Sequence, residues 1–507
     1  MSWLSSVISF ESLGLVVAIL ALIRYYIHRK WQFLANLNIP HDKPTILNIG
    51  NMAGAFSKEM FTRNLEQKKK YGLIYGGYAG LTPAITIHDL EIMRLIYTKE
   101  FQNFPDRMRV LTTMNGKDMN HGVLVARNKK WKRTRSTLSP TFSISKLKQM
   151  FSIVENCTGQ TVAVLEGKLE NESGEFVARK LFSNLSLDMI VSAALGTRAH
   201  IQSVDGKDSQ LVLEVRKLFA TGFAGPTAFM CFICPPFEWI CNKLDISIFD
   251  YKALQYLSNF TNAVIEKRKK GQEEVAKDLL QLMLDAEVAD DKINEDSERG
   301  LNRQELIGNA MLMIGAGFEN TANTMTFLAY NLALHQDIQD KLRKEMDEAF
   351  QAKGRFDYES VNNMKYLSMC LNESLRLYMP IIVNSRVCRK ETTVNGFTIP
   401  KGVTVQFPTF GLAHDPEFWD KPWEFIPDRM EDMSQIDPMV FQPFGAGPRN
   451  CIGLRFAEME IKMAFCQILH KFKIMPSEDT PKPPLELSFA LGIRPIKEFK
   501  LKVVARD

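Results

Sequence analysis

The residues best equipped for chemistry stand together in Phe444-Gly-Ala-Gly-Pro-Arg-Asn-Cys451-Ile-Gly453, a stretch that runs directly into the helical-looking segment from Leu454 to Phe472. Glycines on both sides of Cys451 let the backbone turn tightly and adopt positive φ values that a Cβ would penalise. Where the following helix begins, unpaired N–H groups and the positive end of its dipole would be directed at the sulfur. Such surroundings favour a thiolate, and the thiolate is the form that binds metal. Phe444 supplies an apolar screen on the same loop. Arg449, two residues before the sulfur, is placed to meet an anionic group of a cofactor.

The pattern Phe-x-x-Gly-x-Arg-x-Cys-x-Gly resembles, at every fixed position, the cysteine-ligand loop of the cytochrome P450 haem-thiolate monooxygenases. The other seven cysteines (Cys157, Cys231, Cys234, Cys241, Cys370, Cys388 and Cys466) have no comparable frame and read as ordinary thiols. Cys231 and Cys234 are the only close pair, and without a second pair or a histidine cluster they make a poor zinc site. Eight cysteines in 507 residues are too sparse for a disulfide scaffold, so the catalytic part reads as reduced and intracellular.

Other stretches match the same family in its order. Trp131-Lys-Arg-Thr-Arg135 resembles its Trp-x-x-x-Arg, in which an indole N–H and a planar guanidinium reach one haem propionate from positions i and i+4 of a helix. Leu138-Ser-Pro-Thr-Phe142 resembles the microsomal branch that oxidises drugs and steroids. Ala316-Gly317-Phe318-Glu319-Asn320-Thr321 lies in the long apolar run from Ile307 to Leu334. The resemblance makes this the helix over the oxygen-binding face, where Ala316 and Gly317 leave room for dioxygen and an acid and a hydroxyl relay protons. Glu319 fits the acid and Thr321 the second hydroxyl position. Asn320 stands where the family usually has threonine, and an amide cannot pass a proton as a hydroxyl does. Glu373-Ser-Leu-Arg376 resembles a buried structural ion pair, completed by Arg429 of Phe-Ile-Pro-Asp-Arg429. Arg386 matches a propionate-binding arginine. The resemblance also places Phe318, Ile381, Ile382, Phe489 and Leu491 around the substrate. His414 is not needed as a ligand and reads as a structural hydrogen-bonder.

Several elements must position these residues. Apolar residues make up 45% of the chain, ample for a large core, and a net charge of +5 gives no argument for nucleic acid. Residues 1–30 read as a transmembrane signal anchor: Trp3 to Ile23 is apolar, and Arg24, His28, Arg29 and Lys30 follow on what would be the cytoplasmic side. Residues 31–50, with Pro40 and Pro44, read as a stiff hinge, and 51–507 as the catalytic domain. Tyr75 to Ile87 predicts strands, Phe104 to Asn128 a loop roofing a pocket, and Phe151 to Ala199 scaffold helices. Leu211 to Trp239 is rich in aromatic residues and proline, and reads either as core packing or as an entry route dipping into the membrane. Lys267 to Glu305 predicts solvated helix and loop, Gly396 to Val405 a hairpin, Leu487 to Ile493 a strand pair, and Phe499 to Val504 a closing strand.

The resemblance covers about residues 30–507 and implies a mainly α fold with a minor β region (α+β), two-lobed, behind the N-terminal anchor. It further implies haem b (iron protoporphyrin IX) held by Cys451, and insertion of one oxygen atom of O2 into a lipophilic substrate (a steroid, fatty acid or xenobiotic). The partners so implied are NADPH–cytochrome P450 reductase, docking near Lys132, Arg133 and the Cys451 loop, with cytochrome b5 as a second donor. The place implied is the endoplasmic reticulum membrane, with the catalytic domain on the cytoplasmic side. The alternative that Asn320 keeps open is a haem-thiolate isomerase or peroxygenase acting on lipid peroxides without reductase.

Overall fold

A computed structural model describes residues 10–51, 60–108, 116–171, 173–197, 201–202, 209–221, 227, 230–231, 235–271, 278–293, 297–489 and 492–506. The apolar N-terminal run forms helix α1 (Phe10–Trp31), with basic residues in its last turn. Leu13, Leu15, Val16, Val17, Ile19, Leu20, Leu22 and Ile23 are each 46–67% exposed, so this helix has no protein core of its own. Among the described residues no helix is long and apolar enough to cross a membrane, and the run expected from Trp3 begins ahead of them. The end of α1 is fastened to the strands that follow. Trp31 Nε1 donates to Gly80 O at 3.0 Å, and Tyr78 Oη donates to Trp31 O at 2.8 Å. In the proline segment, Asp42 accepts from Gln67, Lys70 and Tyr71 of α2 (Met60–Tyr71).

The β content is small and lies at the edges of a helical body. Strands β1 (Ile74–Ala79) and β2 (Thr82–Ile87) pair antiparallel, and the sheet continues in the order β1-β2-β7-β4 with β4 at Asn384–Val387 and β7 at Thr404–Phe407. The long excursion between β2 and β7 is reflected in their parallel pairing, which no tight turn can connect. A hairpin of β5 (Thr392–Val394) and β6 (Phe397–Ile399) precedes β7. The expected hairpin at 396–405 therefore starts too late: Asn395 and Gly396, both at positive φ, make its turn. The closing strand β11 (Lys500–Ala505) is the middle of a three-stranded sheet, between β3 (Glu175–Val177) and β8 (Phe472–Pro476). The expected last pair is β9 (Leu487–Phe489) with β10 (Ile493–Pro495), while Leu491 in its turn lies outside the described residues.

The body is built on α3 (Asn128–Leu138), α4 (Ile144–Asn171), α5 (Ala178–Leu195), α6 (Gln210–Thr221), α7 (Arg303–Leu334), α8 (Lys365–Leu377) and α9 (Leu454–Lys471). Helix α7, 32 residues long, runs through the largest core cluster and starts with a capping box in which Asn302 and Glu305 satisfy each other's backbone donors. It lies tightly against α5. A Cβ at Gly317 would come within 2.7 Å of Ile190, and Ser186 Oγ donates to the carbonyls of Gly317 and Phe318 at 3.0 Å each. The glycine thus serves helix approach.

The charge-dense segment at 267–305 is not all solvated. Arg268 and Asp278 form a buried ion pair at 2.8 Å, and Glu305 is 1% exposed. Of the aromatic stretch at 211–239, Phe219 is half-buried and Trp239 is 63% exposed, whereas Phe223, Phe229 and Phe232 lie outside the described residues. So do 109–115 of the expected roof loop, whose described parts hold a short 3-10 turn at Met119–His121.

Candidate active site

The Cys451 loop is a tight turn closed by Cys451 N–H donating to Phe444 O at 2.8 Å. Gly445 and Gly447 carry φ of +73° and +70°, and a Cβ on Gly447 would collide with the carbonyl of Tyr97. Helix α9 begins at Leu454 with Gly453 as its cap, and the Gly453 N–H donates to the Cys451 sulfur. The helix start is therefore aimed at the sulfur as expected. Burial nevertheless raises the thiol, and the Gly453 N–H and the charges of Arg135 and Arg107 only partly oppose it. That N–H and those two guanidinium groups are what would support the thiolate form with iron bound.

Cys451 is the only exposed cysteine among those described, yet burial is the largest influence on its thiol. Helix α7 also keeps a strip of exposed surface. Every position from Glu305 to Ala333 is buried except Ala316, Gly317 and Asn320, which share one face at spacings of three and four.

Arginines surround the sulfur. Arg135 donates to Asn450 O at 3.0 Å and to its side-chain oxygen at 2.9 Å, which ties α3 to the cysteine loop. Arg449 is 4% exposed, donates to the carbonyls of Pro105 and Ala126, and lies 4.2 Å from the centre of the Trp131 ring. Arg386, 2% exposed, sits 5.0 Å over Tyr97. Arg107, which the sequence reading did not single out, donates to Arg449 O at 3.2 Å and feels the charges of Arg386, Arg135 and Cys451. Burial first, then repulsion from Arg107, Arg386 and Arg135, pushes Arg449 down to about 8 against some help from Asp106; burial and Arg386 push Arg107 down to about 10. A guanidinium keeps its proton in a protein, so such a group calls for anions. The carboxylate beside it is Asp106, 3.5 Å from Arg449 Nη2, and the buried Nε atoms of Arg107 and Arg386 have no bonding partner. Iron protoporphyrin IX offers two carboxylates and an open metal face for sulfur, and these residues fit it. Trp131, Arg135, Arg386, Arg449, Phe444 and Cys451 are thus gathered around one place, with Phe444 half-buried on the loop.

The Cytochrome P450 family profile matches residues 40–503. The chain belongs to the cytochrome P450 family. It is 37% identical to cytochrome P450 3A2 of Rattus norvegicus and 35% to cytochrome P450 3A31 of Mesocricetus auratus, each match covering 99% of this chain and 98% of the relative. It is 34% identical to cytochrome P450 3A5 of Homo sapiens, again over 99% and 98%. The mostly helical body with small sheets is the cytochrome P450 fold, and the chain is a haem-thiolate monooxygenase whose cofactor is haem b.

The remaining site residues are distributed differently from a single cluster. Glu319, 4% exposed, is turned to α5, where Arg179 Nη2 donates to its Oε1 at 2.8 Å, and Asn323 Nδ2 of α7 donates to the same oxygen at 3.2 Å. Thr321 is buried, so of Glu319, Asn320 and Thr321 only Asn320 lies on the open face of α7. Phe318 is fully buried against Phe219, ring centres 5.8 Å apart. Ile382 and Phe489 belong to one apolar cluster with Phe61, Phe327, Phe410 and Ile493, and Ile381 is half-buried beside it.

Glu373 and Arg376 are wholly buried. Arg376 donates from Nε and Nη2 to the carboxylate at 2.8 Å each, and from Nη1 to Ala413 O and Pro422 O. Arg429 Nε lies 3.1 Å from Glu373 Oε1 without the angle of a hydrogen bond, and we read it as an ion pair. His414 Nδ1 is 3.0 Å from Phe410 O, a structural role.

One basic residue of the expected docking face is turned inward. Lys132 is exposed, but Arg133 is 6% exposed and donates twice to Glu305, at 2.7 and 2.9 Å. It fastens α3 to the start of α7 and is not part of a solvated basic face.

Proposed function

We propose that this monooxygenase oxidises lipophilic molecules at the endoplasmic reticulum membrane, with electrons delivered by NADPH–cytochrome P450 reductase and cytochrome b5 as an accessory donor. The observation that carries the substrate class is that Ile381, Ile382 and Phe489, the residues expected around the substrate, are apolar, with Ile382 and Phe489 in one hydrophobic cluster that has no charged member. Exposed apolar side chains on α1, with Trp239, Leu244 and Ile246, support a membrane location and a single-pass anchor formed with the residues ahead of α1.

When bound, haem supplies dioxygen activation, and a thiolate ligand favours O–O cleavage. The chain's own work is positioning. Arg107, Arg135, Arg386 and Arg449 would hold the propionates, with the Trp131 indole beneath Arg449. Phe444 would screen the sulfur from water. Glu319 would accept and pass on a proton at Oε2, since Oε1 already accepts from Arg179 and Asn323 while Oε2 is buried without a bonding partner. Thr321 is the nearest hydroxyl along the helix, and Phe318 would back the chamber from behind.

Asn320 favours a second reading, a haem-thiolate isomerase or peroxygenase acting on lipid peroxides, because its amide cannot relay a proton. Product formation with reductase, NADPH and dioxygen, set against formation with a lipid hydroperoxide alone, separates the two. The proposal expects turnover that stops when NADPH or dioxygen is withdrawn. Turnover with hydroperoxide alone and none with NADPH would establish the second reading.

A further inference from the structure

We infer that Asn320 is a specificity-determining residue that binds a hydrogen-bond acceptor of the substrate, a carbonyl or hydroxyl oxygen, through its side-chain amide nitrogen. This rests on the unburied strip of α7 facing the substrate chamber, part of the reading proposed above. Asn320 is one of three positions between Glu305 and Ala333 that are not buried, and the other two, Ala316 and Gly317, offer no polar side chain. The open face of the helix therefore carries a single side chain able to bind anything by hydrogen bonds.

The amide is oriented by the C-terminal hairpin. Gly492, at the start of β10, is buried so close to Asn320 that a Cβ there would lie 2.5 Å from Oδ1 and 3.7 Å from Cγ. The same Cβ would be 3.6 Å from Pro380 O, which accepts from Ile493 N at 3.3 Å. Gly492 is thus seated between Asn320 and the segment that carries Ile381 and Ile382. With Oδ1 braced against Gly492, the two N–H bonds of Nδ2 are left for another partner, and no group among the described residues bonds to them. A donor pair at the edge of an apolar chamber discriminates strongly between a ligand that satisfies it and one that leaves it dry. The favoured substrates are lipophilic molecules with an oxygen acceptor close to the oxidised carbon.

The test is a matched pair of ligands, a steroid ketone and the same ring system without the ketone oxygen, titrated by type I difference spectra into the full-length haem-loaded protein and its variants. The wild type is expected to bind the ketone about tenfold more tightly, the effect of one well-made hydrogen bond in a dry site. Asn320→Leu, similar in volume, should bring the two affinities together while the reduced-carbonyl band stays in place. Asn320→Asp, which presents acceptors where the amide presented donors, should also lose or invert the preference. Gly492→Ala should weaken it by displacing the amide. Equal binding of both ligands by the wild type, or an undiminished preference in Asn320→Leu or Asn320→Asp, overturns the inference. A wild type without the thiolate band fails at the haem-thiolate assignment instead, which the same spectra reveal before any ligand is added.

Discussion

The guanidinium of Arg449 lies over the indole of Trp131, its central carbon 4.2 Å from the ring centre, joining the cysteine loop to α3. The stack holds a cation in place among three others, Arg107, Arg135 and Arg386, with Asp106 as the neighbouring carboxylate. The arrangement predicts that the cofactor's carboxylates contribute much of its binding. Apoprotein should take up the dimethyl ester of haem about 100-fold more weakly than haem itself, given 1.5–3 kcal/mol for each charged hydrogen bond lost. Equal uptake, followed by Soret absorbance, would remove the arginines from that role.

Arg179 and Glu319 meet at 2.8 Å, with side chains 16% and 5% exposed. Arg179→Met leaves the carboxylate buried without its cation and should destabilise the fold by about 3 kcal/mol. Adding Glu319→Gln to that variant should restore much of the loss, since both charges are then gone. Thermal unfolding of the single and double variants checks this, and additive losses would contradict it.

The pair Glu373–Arg376 has no exposed surface, and Arg376 also serves the carbonyls of Ala413, Pro422 and Glu424. Glu373→Ala should cost about 3–5 kcal/mol by stranding a buried guanidinium. The measurable outcome is loss of soluble, haem-containing protein, and a variant with wild-type unfolding temperature would refute the argument.

His414 predicts a pH dependence. Burial first, then the charge of Arg376, takes it from the ordinary imidazole value of 6.5 down to about 3, against its bond to Phe410 O. A base held neutral in the fold binds fewer protons than the unfolded chain in this window. Stability is therefore full above pH 6.5 and falls as the pH drops towards 3, by at most about 1.4 kcal/mol per unit. His88, taken down to about 4 by burial and Lys68, acts in the same direction. His414→Phe, which retains the 4.1 Å stack on Phe410, should flatten the acid limb of unfolding temperature against pH. An unchanged slope would exclude His414 as its source.

What could be read from the sequence was local. The Cys451 loop, the α7 run and the Glu373-x-x-Arg376 pair are contiguous patterns whose chemistry follows from spacing. Arg107 gives no such signal, because it meets Arg449 only after a long stretch of chain has folded back. Arg133 looked like one more surface charge, as its partner Glu305 belongs to a different helix. The packing of Ile190 against Gly317 gives no signal in the sequence either. The hairpin reads as starting at Gly396 because a glycine marks its turn and not its first strand, which begins at Thr392.

The central claim is that the Cys451 sulfur binds haem iron, and the reduced-carbonyl difference spectrum of wild type beside Cys451→Ser tests it most directly. The wild type should show a band at about 450 nm, the mark of thiolate ligation, and Cys451→Ser should lack it. A band that persists in Cys451→Ser, or a wild type whose iron is held by nitrogen, would contradict the account.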